Sequence, residues 1–183
     1  MNSIEEIDWL NETLKGVTVL KDIEVNILRK WFARSARDVL GELDVVAAVH
    51  LQFRLPRAKQ ATCILQAMDH PHFTILAHPS GRLIEQRAPY DVDMLKIVRT
   101  AREPGCFLEL NAQPERLGLL DIHCQLAKEE GMLVAINSDA HSIQNFDNLC
   151  YGVGQVRRGW LEKKTVINTR SLKELRALLK RAL

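Results

Sequence analysis

Short apolar segments that lead into a histidine or an aspartate recur along this chain, and helix-like stretches separate them. Three of these segments run into His50, into His78, and into the pair Asp139 and His141, and a further segment carries Glu24 within it. Strands that alternate with helices form a parallel sheet or barrel with right-handed crossovers. Because parallel strands carry their chemistry at their carboxyl ends, we expect these side chains to share one site.

The spacing of apolar, turn-forming and helix-ending residues predicts five βα repeats. The predicted strands cover residues 17–27, 43–49, 73–77, 106–110 and 133–137. The predicted helices cover residues 4–15, 35–42, 56–68, 91–102 and 119–130. A loop is predicted at residues 151–159, followed by one or two helices, one of which begins with the capping box Ser171-Leu172-Lys173-Glu174.

The strand count bears on the architecture. A closed eight-stranded barrel takes about 250 residues, and five strands in 183 residues are too few to close one. The chain also begins with a helix, which would ordinarily follow a strand. We therefore expect at least one βα unit to precede residue 1, and we assign residues 1–183 to one domain.

Composition indicates a soluble globular protein of the cytoplasm. Hydrophobic residues make up 46% and charged residues 26% of the chain. There is no apolar run of the roughly 20 residues that a membrane helix needs, and the acidic start lacks a signal-peptide core. The four cysteines show no C-x-x-C spacing, which favours buried free thiols in a reducing compartment.

Charge is distributed unevenly along the chain, although the net charge is only +2. From Tyr151 onward nine Lys and Arg residues face only two Glu, which gives this end about +7 and the remainder about −5. A basic segment of this kind can contact phosphates. A solvated helix face is the alternative, and the sequence leaves both interpretations open.

Five motifs occur in the order found in one protein family. They are Ile23-Glu24-Val25, Val49-His50 with Phe53-Arg54-Leu55-Pro56, Leu76-Ala77-His78-Pro79-Ser80-Gly81-Arg82, Leu108-Glu109-Leu110-Asn111-Ala112 and Asn137-Ser138-Asp139-Ala140-His141. The chain resembles the PHP (polymerase and histidinol phosphatase) domain. Within that family it is most similar to the C-terminal PHP domain of bacterial family X DNA polymerases, of which the block Tyr151-Gly152-Val153-Gly154 with Arg157-Arg158-Gly159-Trp160-Leu161 is typical.

The resemblance implies a fold and an activity. The fold is a distorted (β/α)7 TIM-like barrel, here without its first one or two β/α units, so that residues 1–183 form a partial PHP domain. The activity is metal-dependent phosphoester hydrolysis, with 3′–5′ exonuclease, 3′-phosphatase or abasic-site endonuclease chemistry in DNA repair. The complete family site holds two or three Mn²⁺ or Zn²⁺ ions, with Fe as an alternative, and we expect partial occupancy here.

The resemblance also implies roles for individual residues. By motif position, Glu24 corresponds to a carboxylate that bridges metals, and His50, His78, Asp139 and His141 correspond to further ligands. Glu24, Asp139 and His141 are the candidate catalytic residues. The His-x-His pair of the family's first strand, the Asp soon after it and a His of the second strand have no counterpart in this sequence.

Further residues are candidates for substrate binding. They are Arg54, Arg82, Asn111, Arg157 and Arg158, of which the last two would contact a DNA backbone. Glu109 either supports the metal ligands or forms a structural salt bridge, and both interpretations stay open.

The sequence leaves enzymatic competence undecided. The expected partners are DNA and an upstream polymerase domain, with no membrane. One alternative is a non-catalytic structural or DNA-binding remnant, and another is a small-molecule phosphatase of histidinol-phosphatase type. Because open sheets have exposed edges, we also expect a homodimer or an exchanged domain around the strand of Glu24.

Overall fold

Helices and strands alternate along the chain, as the apolar pattern predicts. The computed structural model describes residues 3–27, 37–50, 55–102 and 105–180. The strands are β1 (Asp22–Asn26), β2 (Val45–Val49), β3 (Ile75–Ala77), β4 (Phe107–Asn111) and β5 (Val134–Asn137). The helices are α1 (Ser3–Thr13), α2 (Arg37–Leu40), α3 (Arg57–Met68), α4 (Met94–Arg102), α5 (Asp121–Glu129), α6 (Leu149–Arg158) and α7 (Leu172–Leu179). Among the described residues, 3₁₀ helices cover Ile143–Asn148, Lys163–Thr165 and Ile167–Thr169.

The five strands form one sheet in the order β1-β2-β3-β4-β5, and every pair is parallel. Each strand therefore pairs with the next one along the chain, and the prediction of an α/β fold with a parallel sheet is confirmed. A doubly wound sheet reverses its strand order at a switch point. The order does not reverse among the described strands, which leaves their carboxyl ends along one continuous edge.

Successive residues of the central strands alternate between two apolar layers. Leu76 and Leu108 belong to the larger core, which also contains buried residues of α3, α4, α5 and α6. Their neighbours Ile75 and Phe107 belong to a second cluster on the opposite face. All five residues of β4 are buried, as expected for a central strand of a parallel sheet.

The second face of the sheet is covered by the C-terminal part of the chain. Ile167 and Leu179 pack in the same cluster as Ile75 and Ala135. Asn168 donates to the carbonyl of Ile136 at 2.8 Å and accepts from its amide at 2.7 Å. This segment thus extends along β5, whereas β1 at the other edge is mostly exposed.

The predicted loop at residues 151–159 is wrong, because these residues belong mainly to helix α6. The two glycines inside α6, Gly152 and Gly154, favour a loop by their local conformational freedom. Gly152 is instead required by packing, since a Cβ there would lie 2.6 Å from Ile136 Cγ2 and 2.9 Å from Ala112 Cβ. The helix thereby approaches the sheet more closely than a larger residue would allow.

The expectation of buried thiols holds for two of the four cysteines. Cys106 and Cys124 are buried, Cys63 is half-buried and Cys150 is exposed on α6. All four are free. None of the helices in the described ranges is long and apolar enough to cross a membrane.

Candidate active site at the carboxyl edge of the sheet

Two of the predicted site residues, each just after a strand, have an unusual backbone conformation. His78 comes directly after β3 and Asp139 comes two residues after β5, and both have φ of +48°. Residues with a side chain rarely adopt this left-handed conformation, and where they do, it often marks a functional site. The turn places both side chains at the carboxyl edge of the sheet.

His78 is fixed by a buried carboxylate on the neighbouring strand. Glu109 Oε2 accepts from the His78 backbone amide at 2.9 Å and lies 3.0 Å from His78 Nδ1. Its other oxygen accepts from Asn137 Nδ2 at 3.0 Å. Because a carboxylate only accepts hydrogen bonds, Nδ1 must carry a proton, and in the neutral ring Nε2 then presents a lone pair.

The charges around His78 favour its protonated form. Burial of the ring acts most strongly and opposes protonation. The hydrogen bond and charge of Glu109, together with the charge of Glu24, outweigh burial and the opposing charge of Arg116, so the pKa of His78 lies above its ordinary value. The imidazole is therefore set among carboxylates that stabilise positive charge.

Two further carboxylates face the other nitrogen of the ring. His78 Nε2 lies 3.5 Å from Glu24 Oε2 and 3.9 Å from Asp139 Oδ2. These distances are longer than a good hydrogen bond, so space remains between the three groups. Glu24 and Asp139 also line a cavity of about 650 Å³ on the face of the sheet covered by α7.

A network of amides orients Asp139. Asn111 is fully buried at the end of β4, donates to Asp139 Oδ2 at 3.1 Å and lies 3.2 Å from His78 Nδ1. Gln113 donates its side-chain amide to the carbonyls of Ser138 and Asp139 at 2.6 and 2.9 Å. The loops after β4 and β5 are thereby tied together next to the site.

The donor set suits a divalent cation in its chemistry. Two carboxylates and a neutral imidazole are ligands of zinc and manganese. Glu109 directs the Nε2 lone pair toward Glu24 and Asp139, whose nearest oxygens lie 3.5 and 3.9 Å away. In the described ranges, however, no group of three or more His, Cys, Asp or Glu side chains is arranged as a ready-made metal site.

Two predicted ligands do not join this group. His50 is 1% exposed and its Nε2 contacts Gln60 Oε1, while its ring packs edge-on against Tyr90 at 5.6 Å between centroids. Burial lowers the pKa of His50. His141 is exposed and lines the cavity, and its backbone amide donates to Asn145 Oδ1 at 3.0 Å. The structure thus places His141 at the rim and the His50 ring on a different cluster.

Arg82 supports a loop in this structure. Its Nε donates to the carbonyl of Arg116 at 3.3 Å and its Nη2 to the carbonyl of Leu117 at 2.7 Å, so its guanidinium is directed at the backbone. Its charge also helps to lower the pKa of His123, which burial lowers most and Asp121 raises. A phosphate could reach Arg82 only in competition with these bonds.

Arg157 and Arg158 form no described ion pair with the carboxylates around His78. Arg157 and Arg158 are exposed at the end of α6, and Arg158 Nη2 lies 3.6 Å from Asp121 Oδ2. Arg54 lies outside the described residues. None of the ion pairs within the described ranges joins Arg157 or Arg158 to Glu24 or Asp139.

The sequence did not single out Arg116, Gln113 or Asn137. Arg116 Nε lies 3.6 Å from Asp139 Oδ2 and places a positive charge beside the carboxylates. Gln113 and Arg116 both lie in the loop that follows β4, and the rule that such loops carry chemistry would have drawn attention to them. Asn137 is the last residue of β5, and a polar side chain at the carboxyl end of an apolar strand likewise indicates a site residue.

Comparison with known proteins agrees with the motifs. Over 178 residues, 97% of this chain, the sequence is 41% identical to the DNA polymerase/3'-5' exonuclease PolX of Bacillus subtilis strain 168, of which the match covers 31%. A probable phosphatase of Thermoanaerobacter sp. strain X514 is 28% identical over 172 residues, which are 87% of this chain and 67% of that protein. A probable phosphatase of Clostridium novyi strain NT is 27% identical over 174 residues.

These relatives differ in how much of them the chain spans. It covers about a third of the length of PolX and about two thirds of the two phosphatases. No family model matches the sequence. The match to PolX extends over nearly the whole chain. The chain thus resembles the PHP domain by its motifs, and over nearly its whole length it is similar to a part of the PolX polymerase.

Proposed function

We propose that this chain is a metal-dependent phosphoesterase domain that processes the 3′ ends or abasic sites of DNA. The observation that carries this proposal is the convergence of Glu24, His78 and Asp139 at the carboxyl edge of a parallel sheet, with Glu109 behind His78. In folds of this kind that edge is where catalytic groups lie. The similarity to a polymerase and exonuclease supports DNA as the substrate.

We further propose Mn²⁺ or Zn²⁺, with Fe as an alternative, as the cofactor. Glu24, His78 and Asp139 would hold the ion, and His141 at the rim of the cavity is available as an additional ligand. When bound, a metal of this type neutralises phosphate charge and lowers the pKa of a coordinated water.

The residues of the chain contribute positioning and proton handling. Glu109 holds the His78 ring by Nδ1 and by the backbone amide, which leaves Nε2 directed at the site. Asn111 donates to one oxygen of Asp139 and thereby orients the carboxylate. The second oxygen of Asp139 is the candidate acceptor for the proton of an attacking water, since carboxylates act as general bases where a positioned water is within reach.

The basic C-terminal part of the chain supports a polyanionic substrate. Nine Lys and Arg residues follow Tyr151, against two Glu. Arg157 on α6 and Lys163 and Lys164 in the next 3₁₀ helix are exposed. Exposed cations of this kind bind phosphate backbones with little regard to sequence and with strong dependence on salt.

A small phosphomonoester is the second candidate substrate. The chain covers 67% of a probable phosphatase but only 31% of PolX, so the coverage favours the phosphatases although the identity favours PolX. The cavity of about 650 Å³ is also of the size that encloses a small ligand.

One experiment separates the two substrates. Purified chain with Mn²⁺ is incubated with an end-labelled 3′-recessed DNA duplex and, separately, with p-nitrophenyl phosphate. DNA cleavage that is lost in His78→Ala and in Asp139→Ala supports the first proposal, and turnover of the small ester alone supports the second. Glu129→Ala, an exposed position on α5, is the matched control. Absence of turnover on both substrates, or turnover unchanged in both site variants, overturns the proposal.

A further inference from the structure

We propose that Arg116 is the residue that binds the substrate phosphate, an inference that rests on the proposed function. Its guanidinium lies 3.6 Å from Asp139 Oδ2, and its charge is felt by His78. Arginine offers a planar fork of N–H donors that matches two oxygens of one phosphate. Arg116 lies in the loop after β4, outside the five motifs that carry the resemblance.

The electrostatics of the site favour such a cation. Glu24, Glu109 and Asp139 surround His78, and an approaching phosphate would be repelled by these carboxylates. Of the Lys and Arg side chains in the described ranges, Arg116 is the one that pairs with a carboxylate of this group. It therefore offsets negative charge at the position where an anionic substrate would enter.

The loop of Arg116 is held by bonds that do not involve its side chain. The backbone amides of Arg116 and Leu117 both donate to the carbonyl of Gln113 at 2.9 Å. Arg82 donates to the carbonyls of Arg116 and Leu117. The amide of Ile84 donates to the carbonyl of Glu115 at 2.6 Å. Substituting the Arg116 side chain leaves this scaffold in place, so a loss of binding reports on the guanidinium.

The guanidinium is also available to a ligand. Its side chain is 28% exposed, and its distance to Asp139 exceeds that of a hydrogen bond. Arg82 differs, because its guanidinium is engaged by two carbonyls. The loop backbone of Arg116 is anchored, while its guanidinium lies beyond hydrogen-bond distance of Asp139, so its donors can be taken up by a phosphate.

Binding of inorganic phosphate tests the proposal without any turnover. Titration calorimetry of the wild-type chain is carried out first with a chelator and then with a stoichiometric amount of Mn²⁺. Arg116→Ala is expected to weaken phosphate binding about tenfold to a hundredfold, the effect of losing hydrogen bonds to a charged group. Arg116→Lys keeps the charge but loses the fork, and its affinity is expected to fall between the two.

Arg99→Ala is the matched control. Arg99 also pairs with a single carboxylate, Glu130 at 2.8 Å, but it does so near the start of β5, at the opposite edge of the sheet. The Arg99→Ala variant is expected to bind phosphate with the same affinity as the wild type. A second readout is phenylglyoxal labelling of the wild-type chain, in which phosphate should slow the modification of Arg116 and leave that of Arg99 unchanged.

The outcomes distinguish this inference from the proposed function. Equal phosphate affinity of Arg116→Ala and wild type, labelling of Arg116 that phosphate does not slow, or no phosphate binding by the wild type would each overturn it. If phosphate binding depends on Arg116 but no phosphoester is hydrolysed, the proposed function alone fails. If hydrolysis occurs with an unchanged KM in Arg116→Ala, the role of Arg116 alone fails.

Discussion

Replacing Glu109 by alanine should destabilise the chain strongly, because this one carboxylate satisfies three donors. It accepts from the His78 amide at 2.9 Å and from Asn137 Nδ2 at 3.0 Å, and it faces His78 Nδ1 at 3.0 Å. Glu109 is 4% exposed, so water cannot easily replace it at the backbone amide. The contacts join β3, β4 and β5 at the edge where the site lies.

The magnitude follows from the donors that would be left without an acceptor. A buried donor that loses its partner costs about 1–3 kcal/mol, and the two donors of His78 are both of this kind. Asn137 is half-buried and can turn toward water, so it contributes less. Removing one member of a buried ionic pair costs about 3–5 kcal/mol. We therefore expect Glu109→Ala to lower the free energy of unfolding by about 3–5 kcal/mol.

Glu109→Gln serves as the chemically matched variant. Both donors of His78 contact the same oxygen, Oε2, so a glutamine that places its carbonyl there keeps both contacts. Its amide would then face Asn137 Nδ2, and the Asn137 side chain would have to turn its amide over. The loss of charge with retained geometry should cost about 1–2 kcal/mol, which is the difference between charged and neutral hydrogen bonds.

Urea unfolding followed by circular dichroism measures both effects, provided that the slope of the free energy against urea is unchanged. Glu129→Ala on the exposed face of α5 is the control and should change the free energy of unfolding by less than about 0.5 kcal/mol. A Glu109→Ala variant within about 1 kcal/mol of the wild type, or a Glu109→Gln variant less stable than Glu109→Ala, would refute the reasoning.

Three further predictions concern the packing and the titration of the chain. Gly152→Ala should lower the free energy of unfolding by about 1–3 kcal/mol through overpacking, since its Cβ would lie 2.6 Å from the Ile136 side chain. Gly154→Ala has open space around its Cβ and should raise the free energy of unfolding by about 0.5–1 kcal/mol, because alanine favours a helix over glycine. Iodoacetamide should label the exposed Cys150 in the native chain and the buried Cys124 only after unfolding, because burial raises the pKa of the Cys124 thiol to about 12. Burial lowers the pKa of His123 in the folded chain below its unfolded value, so the unfolded chain binds more protons at a pH just below about 6.5. The free energy of unfolding should therefore fall as the pH drops through about 6.5. His123→Gln should reduce this loss.

Each of these has a result that contradicts it. Equal stability of the two glycine variants would show that α6 does not press on the sheet as described. Peptide mass spectrometry that finds Cys124 labelled as fast as Cys150 would contradict its burial. For His123, urea midpoints are compared at about pH 7.5 and about pH 5.5, and a His123→Gln variant with the full acid loss would assign that loss to other groups.

The strands were predictable because their signal is local. Apolar runs bounded by turn residues located all five, and the structure shortens the first predicted strand from residues 17–27 to Asp22–Asn26. The reason lies in pairing, since Asp22 is opposite Val45 and the partner strand begins there. The limits of a strand depend on its neighbour and are not encoded in its own residues alone.

Helix α6 was not predictable in the same way. The glycines at 152 and 154 favour a loop by their conformational freedom, and this local preference was overridden. At Gly152 the absence of a side chain allows the helix to lie against Ile136 and Ala112. That advantage exists only once the sheet has formed.

The site shows the same division. His50 and His78 carry the same sequence signal, a histidine directly after a buried strand, yet only His78 has contacts with Glu24, Glu109 and Asp139 among those described. The ring of His50 packs with Gln60 and Tyr90 instead. A strand-end position fixes where a side chain starts, while the neighbouring helix decides where its ring comes to lie.

The sequence by itself determined the α/β class, the parallel order implied by alternation, and the edge of the sheet that carries the polar side chains, because each follows from short-range periodicity and chain connectivity. Only the tertiary structure decided that Glu109 holds His78, that Asn111 orients Asp139 and that Arg116 lies beside that carboxylate. Those contacts join residues about 30 positions apart or link separate loops. Their distances are set by strand register and loop anchoring, which no local pattern specifies.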